Sequence, residues 1–397
     1  MSDFCAAEAS RCLLCKKPKC ALQGCPVHTS VPECMLLYRQ GKLDEAGELL
    51  FQNNPLSAIT SLVCDWKQFC FGHCVLNVKQ APIHWYQVEQ EISGKYLKKV
   101  SLRRGAPVGK KAAIIGAGPA GIASAIWLYE KGWDVALFDS NPKMGGVLRY
   151  GIPAFRLGKE LVDQYERILD VPGIEFHGGR PISSVESVAA AYTAVIVCAG
   201  AEKPARLGIP GEERSIQALP FLKEPSAFNL GKKVIVIGGG NVAMDACRTA
   251  ARMGVETWVY YRKTFENMPA NPLEVEEAKA DGVRFEVFQA PVEVREGGVV
   301  FCDCENIVPE DGGRVVTRII PGTEHFVECD TLITAISESP EFEALGLPAW
   351  PVVSECGLVE GSENIYLAGD FRLGPRTVVE AVASARLVVD AVAGNVL

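Results

Sequence analysis

The chain has 397 residues, 48% of them apolar and 22% charged, with a formal net charge of −8. This composition excludes a disordered chain and suits a globular α/β protein of two or three domains, each with its own core. Lysine and arginine are dispersed in short pairs such as Lys98-Lys99 and Lys232-Lys233, which is no nucleic-acid footprint. Met1 to Ser10 is polar and mixed, unlike a secretion signal, and no apolar run reaches the roughly 18 residues of a membrane helix. The expectation is a cytoplasmic chain with no nucleic-acid or membrane partner.

Nine of the fifteen cysteines fall in the first 74 residues: Cys5, Cys12, Cys15, Cys20, Cys25, Cys34, Cys64, Cys70 and Cys74. Without a secretion signal a disulfide framework is disfavoured, and a dense patch followed by scatter points to metal ligation in one small domain. Zinc commonly takes two CxxC pairs, and only Cys12 and Cys15 form one. Seven close thiols, with Cys25 directly before Pro26, fit bacterial-ferredoxin-type clusters, in which the cysteine before proline ligates the other cluster. Two four-iron clusters need eight ligands, so one non-cysteine ligand is required. Cys5 and Cys34 read as core or surface cysteines. Val31 to Gly41 and Leu43 to Asn53 have helical apolar spacing and predict a helix pair. A basic linker, Lys95 to Gly109, follows.

From there the chain repeats itself. Lys110 to Gly116 aligns without gaps on Lys232 to Gly238, an offset of 122 that also places Gly132 on Gly254 and Asp134 on Glu256. Two β-α-β dinucleotide-binding units are therefore expected. In the first, the strand Ala112 to Ile115 leads into Gly116-Ala-Gly118-Pro119-Ala120-Gly121 and a helix from Ile122 to Lys131. The first glycine permits the tight turn, the second the approach of a pyrophosphate, and the third close packing of helix on strand. A second strand, Val135 to Phe138, ends at Asp139, whose carboxylate can accept from a ribose hydroxyl. Gly145-Gly146 allows another close backbone approach, which favours an extended FAD. Ala189 to Ala201 reads as a buried strand.

In the second unit, Gly238-Gly239-Gly240-Asn241-Val242-Ala243 has the GxGxxA form. The position matching Asp139 is Tyr261, followed by Arg262 and Lys263. Taken singly these are ordinary loop cations. In this motif they suit a ribose 2′-phosphate, favouring NADPH, with NADH the alternative. Cys302 and Cys304 fall in a peripheral hairpin. Near the C-terminus Ile365 to Leu367 is a short strand before Ala368-Gly369-Asp370, and Thr377 to Val389 reads as a helix. This resembles the second flavin-contact segment of two-domain flavoproteins, with Gly369 and Asp370 toward the ribityl chain and Thr377 and Val378 at a helix end facing the ring.

Further marks are Cys12-Leu-Leu-Cys15, Cys25-Pro26-Val27, Asn54-Pro55-Leu56, Gly145-Gly146-Val147-Leu148, Tyr150-Gly-Ile-Pro153, Phe155-Arg156-Leu157 and Met268-Pro269-Ala270. With these the whole chain resembles the glutamate synthase small-subunit family. That family extends to the N-terminal half of dihydropyrimidine dehydrogenase and the large subunit of NADH-dependent ferredoxin:NADP oxidoreductase. The resemblance implies an α/β fold of two Rossmann-like domains with a helical iron–sulfur domain in front. The segments are 1–105 (iron–sulfur), 106–200 and 333–397 (FAD) and 201–332 (NAD(P)H). It also implies one cluster on Cys12, Cys15, Cys20 and Cys74, and another on Cys25, Cys64, Cys70 and a carboxylate or amide. Counting seven residues from Pro82 gives Glu89, with Gln90 its neighbour. Leu148 and Arg156 join the flavin set. Three departures stand out: Cys20 to Cys25 is one residue longer than usual, Ala335-Ile-Ser-Glu338 replaces Ala-Ile-Gly-Gln, and Thr60 replaces a non-ligand cysteine.

The implied activity is oxidation of NADPH through FAD and clusters to a partner subunit. No separate acid–base residue is needed, because positioning and the flavin carry the hydride step. A disulfide reductase on this scaffold needs a cysteine pair beside the flavin, and no cysteine occurs between Cys74 and Cys198. A nucleotide-sensing module with structural clusters is the non-catalytic alternative. The partner is open among glutamate synthesis, pyrimidine reduction and ferredoxin-linked bifurcation.

Overall fold

The computed structural model describes residues 1–307 and 315–394. They divide into two compact units, one of residues 1–149, 154–201 and 340–397, the other of residues 150–153 and 202–339.

The first unit opens with helices Asp3–Arg11, Val31–Arg39, Leu43–Asn53, Ser57–Val63 and Trp85–Leu97. The expected pair at 31–41 and 43–53 is present. Its inward residues, among them Met35, Tyr38 and Leu50, meet Val88 and Ile92 in one core. The linker starts later than Lys95 because the last of these helices runs to the buried Leu97. A parallel sheet follows, in the order Ile365–Leu367, Ala194–Val197, Lys111–Ile115, Asp134–Phe138, Ile174–His177. The run 189–201 is only partly strand, since Val185–Ala189 is a short helix capped by Ser184. The helix after the first glycine loop starts at Pro119 rather than Ile122, because proline's fixed φ and missing N–H suit a first helical turn. It packs on the C-terminal helix Val378–Val392, and ten of its twelve residues are buried. A helix so covered needs no polar face, which explains why Glu130 is its sole charged residue.

The second unit repeats this plan. Its parallel sheet runs Ile216–Gln217, Thr331–Thr334, Lys233–Ile237, Glu256–Tyr261, Arg284–Val287. Lys111 pairs with Asp134 in one sheet and Lys233 with Glu256 in the other, so the 122-residue offset holds in three dimensions. Gly132 and Gly254, at the ends of the two glycine-loop helices, have φ of 85° and 86°. An antiparallel sheet adds Gln289–Arg295, Gly298–Ile307, Val316–Ile319 and His325–Glu328. Cys302 and Cys304 sit on its long strand, opposite Ala290 and Ile319, and both are buried. Among the described residues no helix is long and apolar enough to cross a membrane.

Candidate functional site

The first glycine loop is built by steric necessity. Gly116 has φ of 101°, and a Cβ there would lie 2.3 Å from the Cys198 carbonyl oxygen. A Cβ at Gly121 would lie 1.9 Å from the carbonyl oxygen of Gly116, so helix and strand approach as only glycine allows. Asp139 is buried beneath the loop. Its Oδ2 accepts from the Ala117 N–H at 2.7 Å and its Oδ1 from the Asn141 N–H at 2.7 Å. The carboxylate therefore holds the loop in shape, a role the sequence did not indicate.

Gly145 donates its N–H to the Ala117 carbonyl at 2.8 Å. Gly146 has φ of 50°, and a Cβ there would lie 2.8 Å from the Gly118 Cα. Leu148 is fully buried in the following turn of helix, and Arg156 is half-buried. The C-terminal segment closes on the same place: a Cβ at Gly369, φ 61°, would lie 2.8 Å from the Ala120 Cβ. Asp370 starts a single helical turn, Asp370–Leu373. Burial pushes its carboxyl up to about 7, although the Arg376 N–H donates to it. Its Oδ1 is buried and has no hydrogen-bond partner. Thr377 caps the C-terminal helix in a reciprocal capping box with Glu380, and Val378 is the first helical residue. An orphan acceptor beside a backbone cradle fits an extended dinucleotide with a hydroxyl to donate.

The second loop has the same build. A Cβ at Gly238, φ 146°, would lie 2.1 Å from the Ala335 carbonyl oxygen, and one at Gly239 would meet the Tyr261 ring at 2.6 Å. Gly240 precedes the helix Asn241–Arg252, which carries Val242 and the buried Ala243 in its first turn. The Asn241 Oδ1 accepts from the Asn271 N–H at 2.9 Å, and the Tyr261 hydroxyl donates to the Asn267 carbonyl at 2.8 Å. The two cations diverge. Arg262 is exposed, whereas Lys263 is 9% exposed and donates through Nζ to the Val315 carbonyl at 2.8 Å. Of the two cations, only Arg262 is open to solvent.

The cysteines fall into two electrostatic neighbourhoods that touch where Cys20 acts on Cys70. Cys20 is pushed up to about 12 by burial first and then by Cys74, Cys12 and Cys15. Cys64 is raised by burial and then by Cys70, Glu89 and Cys25, and Cys70 by burial, Glu89, Cys25 and Cys20. Glu89 is buried on helix Trp85–Leu97, and burial pushes its carboxyl up to about 8. Gln90 is exposed. Cys5 and Cys34 are buried in the helical core. Two cysteine loops carry non-glycine residues in the left-handed region, Leu14 at φ 50° and His28 at φ 51°, a costly conformation that clusters at ligand clamps. Among the described residues no three or more histidine, cysteine or acidic side chains are gathered as for a single metal ion. A multi-iron cluster spaces its thiolates around several irons instead, and buried, mutually repelling thiols ionise once such positive charge is supplied.

Residues 110–385 match the family model described as pyridine nucleotide-disulphide oxidoreductase. Residues 2–100 match that described as dihydropyrimidine dehydrogenase domain II, 4Fe-4S cluster. The glutamate synthase [NADPH] small chain of Escherichia coli K12 is 33% identical over 97% of this chain and 90% of its own. The chain belongs to this family. It is a glutamate synthase small-chain-like, NADPH-dependent FAD oxidoreductase with a 4Fe-4S domain. The family reaches further: the NADP(+)-dependent formate dehydrogenase subunit beta of Moorella thermoacetica is 28% identical over 91% of this chain and 58% of its own. In fold the chain is similar to Mycobacterium tuberculosis FprA in complex with NADPH, with a TM-score of 0.63 and 19% identity over 73% of this chain and 85% of that one.

Motif reading did not single out the polar groups that bind the front of this family member to its flavin sheet. The Trp127 Nε1 donates to the Gln52 carbonyl at 3.1 Å, the Tyr165 hydroxyl to the Pro55 carbonyl at 2.8 Å, and the Arg386 Nη1 to the Asn53 carbonyl at 2.8 Å. All three acceptors lie at or near Asn54-Pro55-Leu56, so that motif is a strap between the N-terminal helices and the helices Pro119–Glu130, Lys159–Leu169 and Val378–Val392. Only its place in the family pattern marked it beforehand.

Proposed function

We propose that this chain is the electron-input subunit of a larger oxidoreductase, oxidising NADPH and delivering single electrons through two four-iron clusters to a partner chain. The observation that carries this reading is that the cysteine helices and the first glycine loop share one compact unit, tied by the Trp127, Tyr165 and Arg386 hydrogen bonds. Bound flavin supplies the chemistry, accepting a hydride from reduced nicotinamide and releasing electrons singly.

The chain's own residues position and exclude. Gly116, Gly118, Pro119, Ala120 and Gly121 admit the FAD pyrophosphate at a helix end, Asp139 holds that loop, and Gly145, Gly146, Leu148 and Arg156 line its far side. Gly369, Asp370, Thr377 and Val378 meet the ribityl chain and ring. Gly238, Gly239, Gly240, Asn241, Val242 and Ala243 hold the nicotinamide nucleotide, Tyr261 shapes that loop, and Arg262 takes the 2′-phosphate. Lys263 acts as a buried brace. Cys12, Cys15, Cys20 and Cys74 hold one cluster, and Cys25, Cys64, Cys70 and Glu89 the other. Both clusters belong to a helical domain, residues 1–105, ahead of FAD segments 106–200 and 333–397 that flank an NADPH domain, 201–332.

Leu13, next to Cys12, and Val78, four residues after Cys74, are 62% and 83% exposed. Large apolar side chains at that place suit cover by a partner. Two tests apply. Anaerobically purified protein is expected to hold one FAD and eight irons and to lose flavin absorbance with NADPH; retention of four irons would remove the second cluster. Mass spectrometry of chains that co-purify names the partner, an amidotransferase-bearing synthase or a dehydrogenase chain, whereas a chain recovered alone argues for transient acceptors.

A further inference from the structure

Cys25, Pro26, Val27, His28 and Thr29 form a tight turn around a sulfur atom. The His28 N–H donates to the Cys25 carbonyl at 3.0 Å, with His28 in the left-handed region at φ 51°. For a side chain with a Cβ that conformation is unfavourable, so something must hold it. One visible result is the position of Thr29, which is 2% exposed and has its hydroxyl 3.3 Å from the Cys25 Sγ. The backbone N–H groups of Thr29 and Val27 face the same sulfur.

The hydroxyl is itself held. Thr29 Oγ1 lies 3.3 Å from the Asn53 Oδ1, and the Asn53 Nδ2 donates to the Val27 carbonyl at 3.0 Å. The Asn53 carbonyl accepts from Arg386 of the C-terminal helix at 2.8 Å. The hydroxyl has one proton and two acceptors, an amide oxygen and the sulfur. A metal-bound thiolate carries negative charge and is the stronger acceptor.

We propose that Thr29 is a positioning residue that sets the reduction potential of the cluster held by Cys25, through a hydrogen bond from its hydroxyl to the Cys25 sulfur. The proposal rests on the reading of Cys25 as a cluster ligand. Reduction adds one electron to the cluster and makes its sulfurs more negative, so a donor aimed at sulfur favours the reduced form and raises the potential. Asn53 and Arg386 keep the hydroxyl in reach, which ties the value to the seating of the C-terminal helix.

The test is an anaerobic redox titration of the holoprotein followed by electron paramagnetic resonance, comparing wild type, Thr29→Ser and Thr29→Val. The valine variant is expected to be harder to reduce by about a tenfold change in equilibrium, about 59 mV for a one-electron couple, while serine stays near wild type and the other cluster does not move. Equal midpoints for the valine and serine variants overturn the proposal. If valine fails to retain the cluster, Thr29→Ala against Thr29→Ser makes the same comparison with less crowding. Wild-type protein carrying four irons instead of eight would sink the ligand reading itself, an outcome separable from unchanged potentials with eight irons present.

Discussion

The α-carbon of Gly118 stands 2.8 Å from the point where a side chain at Gly146 would begin. Two loops 28 residues apart thus form one narrow backbone cradle, and neither loop alone makes it. Gly146→Ala must both relieve that clash and accept φ of 50°, a conformation costing roughly 1–2 kcal/mol with a Cβ. The expected result is protein that folds but binds FAD about tenfold or more weakly, measured as flavin retained through gel filtration. Full flavin content in the alanine variant would falsify the cradle.

Arg262 and Lys263 separate by burial into two different experiments. Arg262→Ala is expected to lower kcat/KM for NADPH by about 10–100-fold, the worth of a charge-assisted hydrogen bond of roughly 1.5–3 kcal/mol, and to leave NADH turnover nearly unchanged. Lys263→Met removes the donor to the Val315 carbonyl. It is expected to lower the thermal midpoint while leaving the ratio of the two cofactors alone. A change of cofactor preference in the lysine variant would reverse these roles.

Asp370 gives the flavin-free protein a pH dependence of defined sign. Burial raises its carboxyl from the ordinary 3.8 to about 7, so between those values the folded state binds the extra proton. Its contribution to stability is complete below about 4 and is lost as pH rises through about 7. Asp370→Asn should therefore match wild type near pH 4 and exceed it in thermal midpoint at pH 8, both measured without flavin. With FAD present the order should invert, because the orphan Oδ1 then has its donor. A wild-type-minus-variant difference that is flat with pH would remove this account.

Glu89 and Gln90 are distinguished by the same logic of burial. Glu89→Ala is expected to halve the iron content, Glu89→Gln to retain most of it because an amide oxygen can still ligate, and Gln90→Ala to change nothing. Iron and acid-labile sulfide assays on anaerobically purified protein decide among them.

How much of this was legible beforehand depends on whether a feature is local. The glycine loops, their strands and the duplication at 122 residues follow from turn chemistry and periodicity, and Lys233 pairs with Glu256 as Lys111 does with Asp134. The antiparallel sheet around Gly298–Ile307 went unread beyond a hairpin at Cys302 and Cys304, because its pairings depend on contacts distant in sequence. The motif marks Asp139 as a ribose ligand, and its further contacts with Ala117 and Asn141 depend on the loop's return, which the motif does not carry. The motif pairs Lys263 with Arg262 as a 2′-phosphate cation, and nothing in its sequence neighbours announces its burial or its bond to the Val315 carbonyl. Thr29 carries no motif, and only the left-handed turn at His28 brings its hydroxyl to the sulfur.

The two glycine loops differ at their third position, Gly121 in one and Ala243 in the other. A methyl group at Gly121 would fall 1.9 Å from the Gly116 carbonyl oxygen, whereas Ala243 already seats one in full burial. Trading fingerprints between the halves is therefore a one-way street. The second loop can be rewritten toward the first by deleting a methyl, but the first cannot be rewritten toward the second without pushing its helix off the strand. The flavin half is thus held to glycine at its third position, while the nicotinamide half seats a methyl group there and keeps its own tight glycines at Gly238 and Gly239.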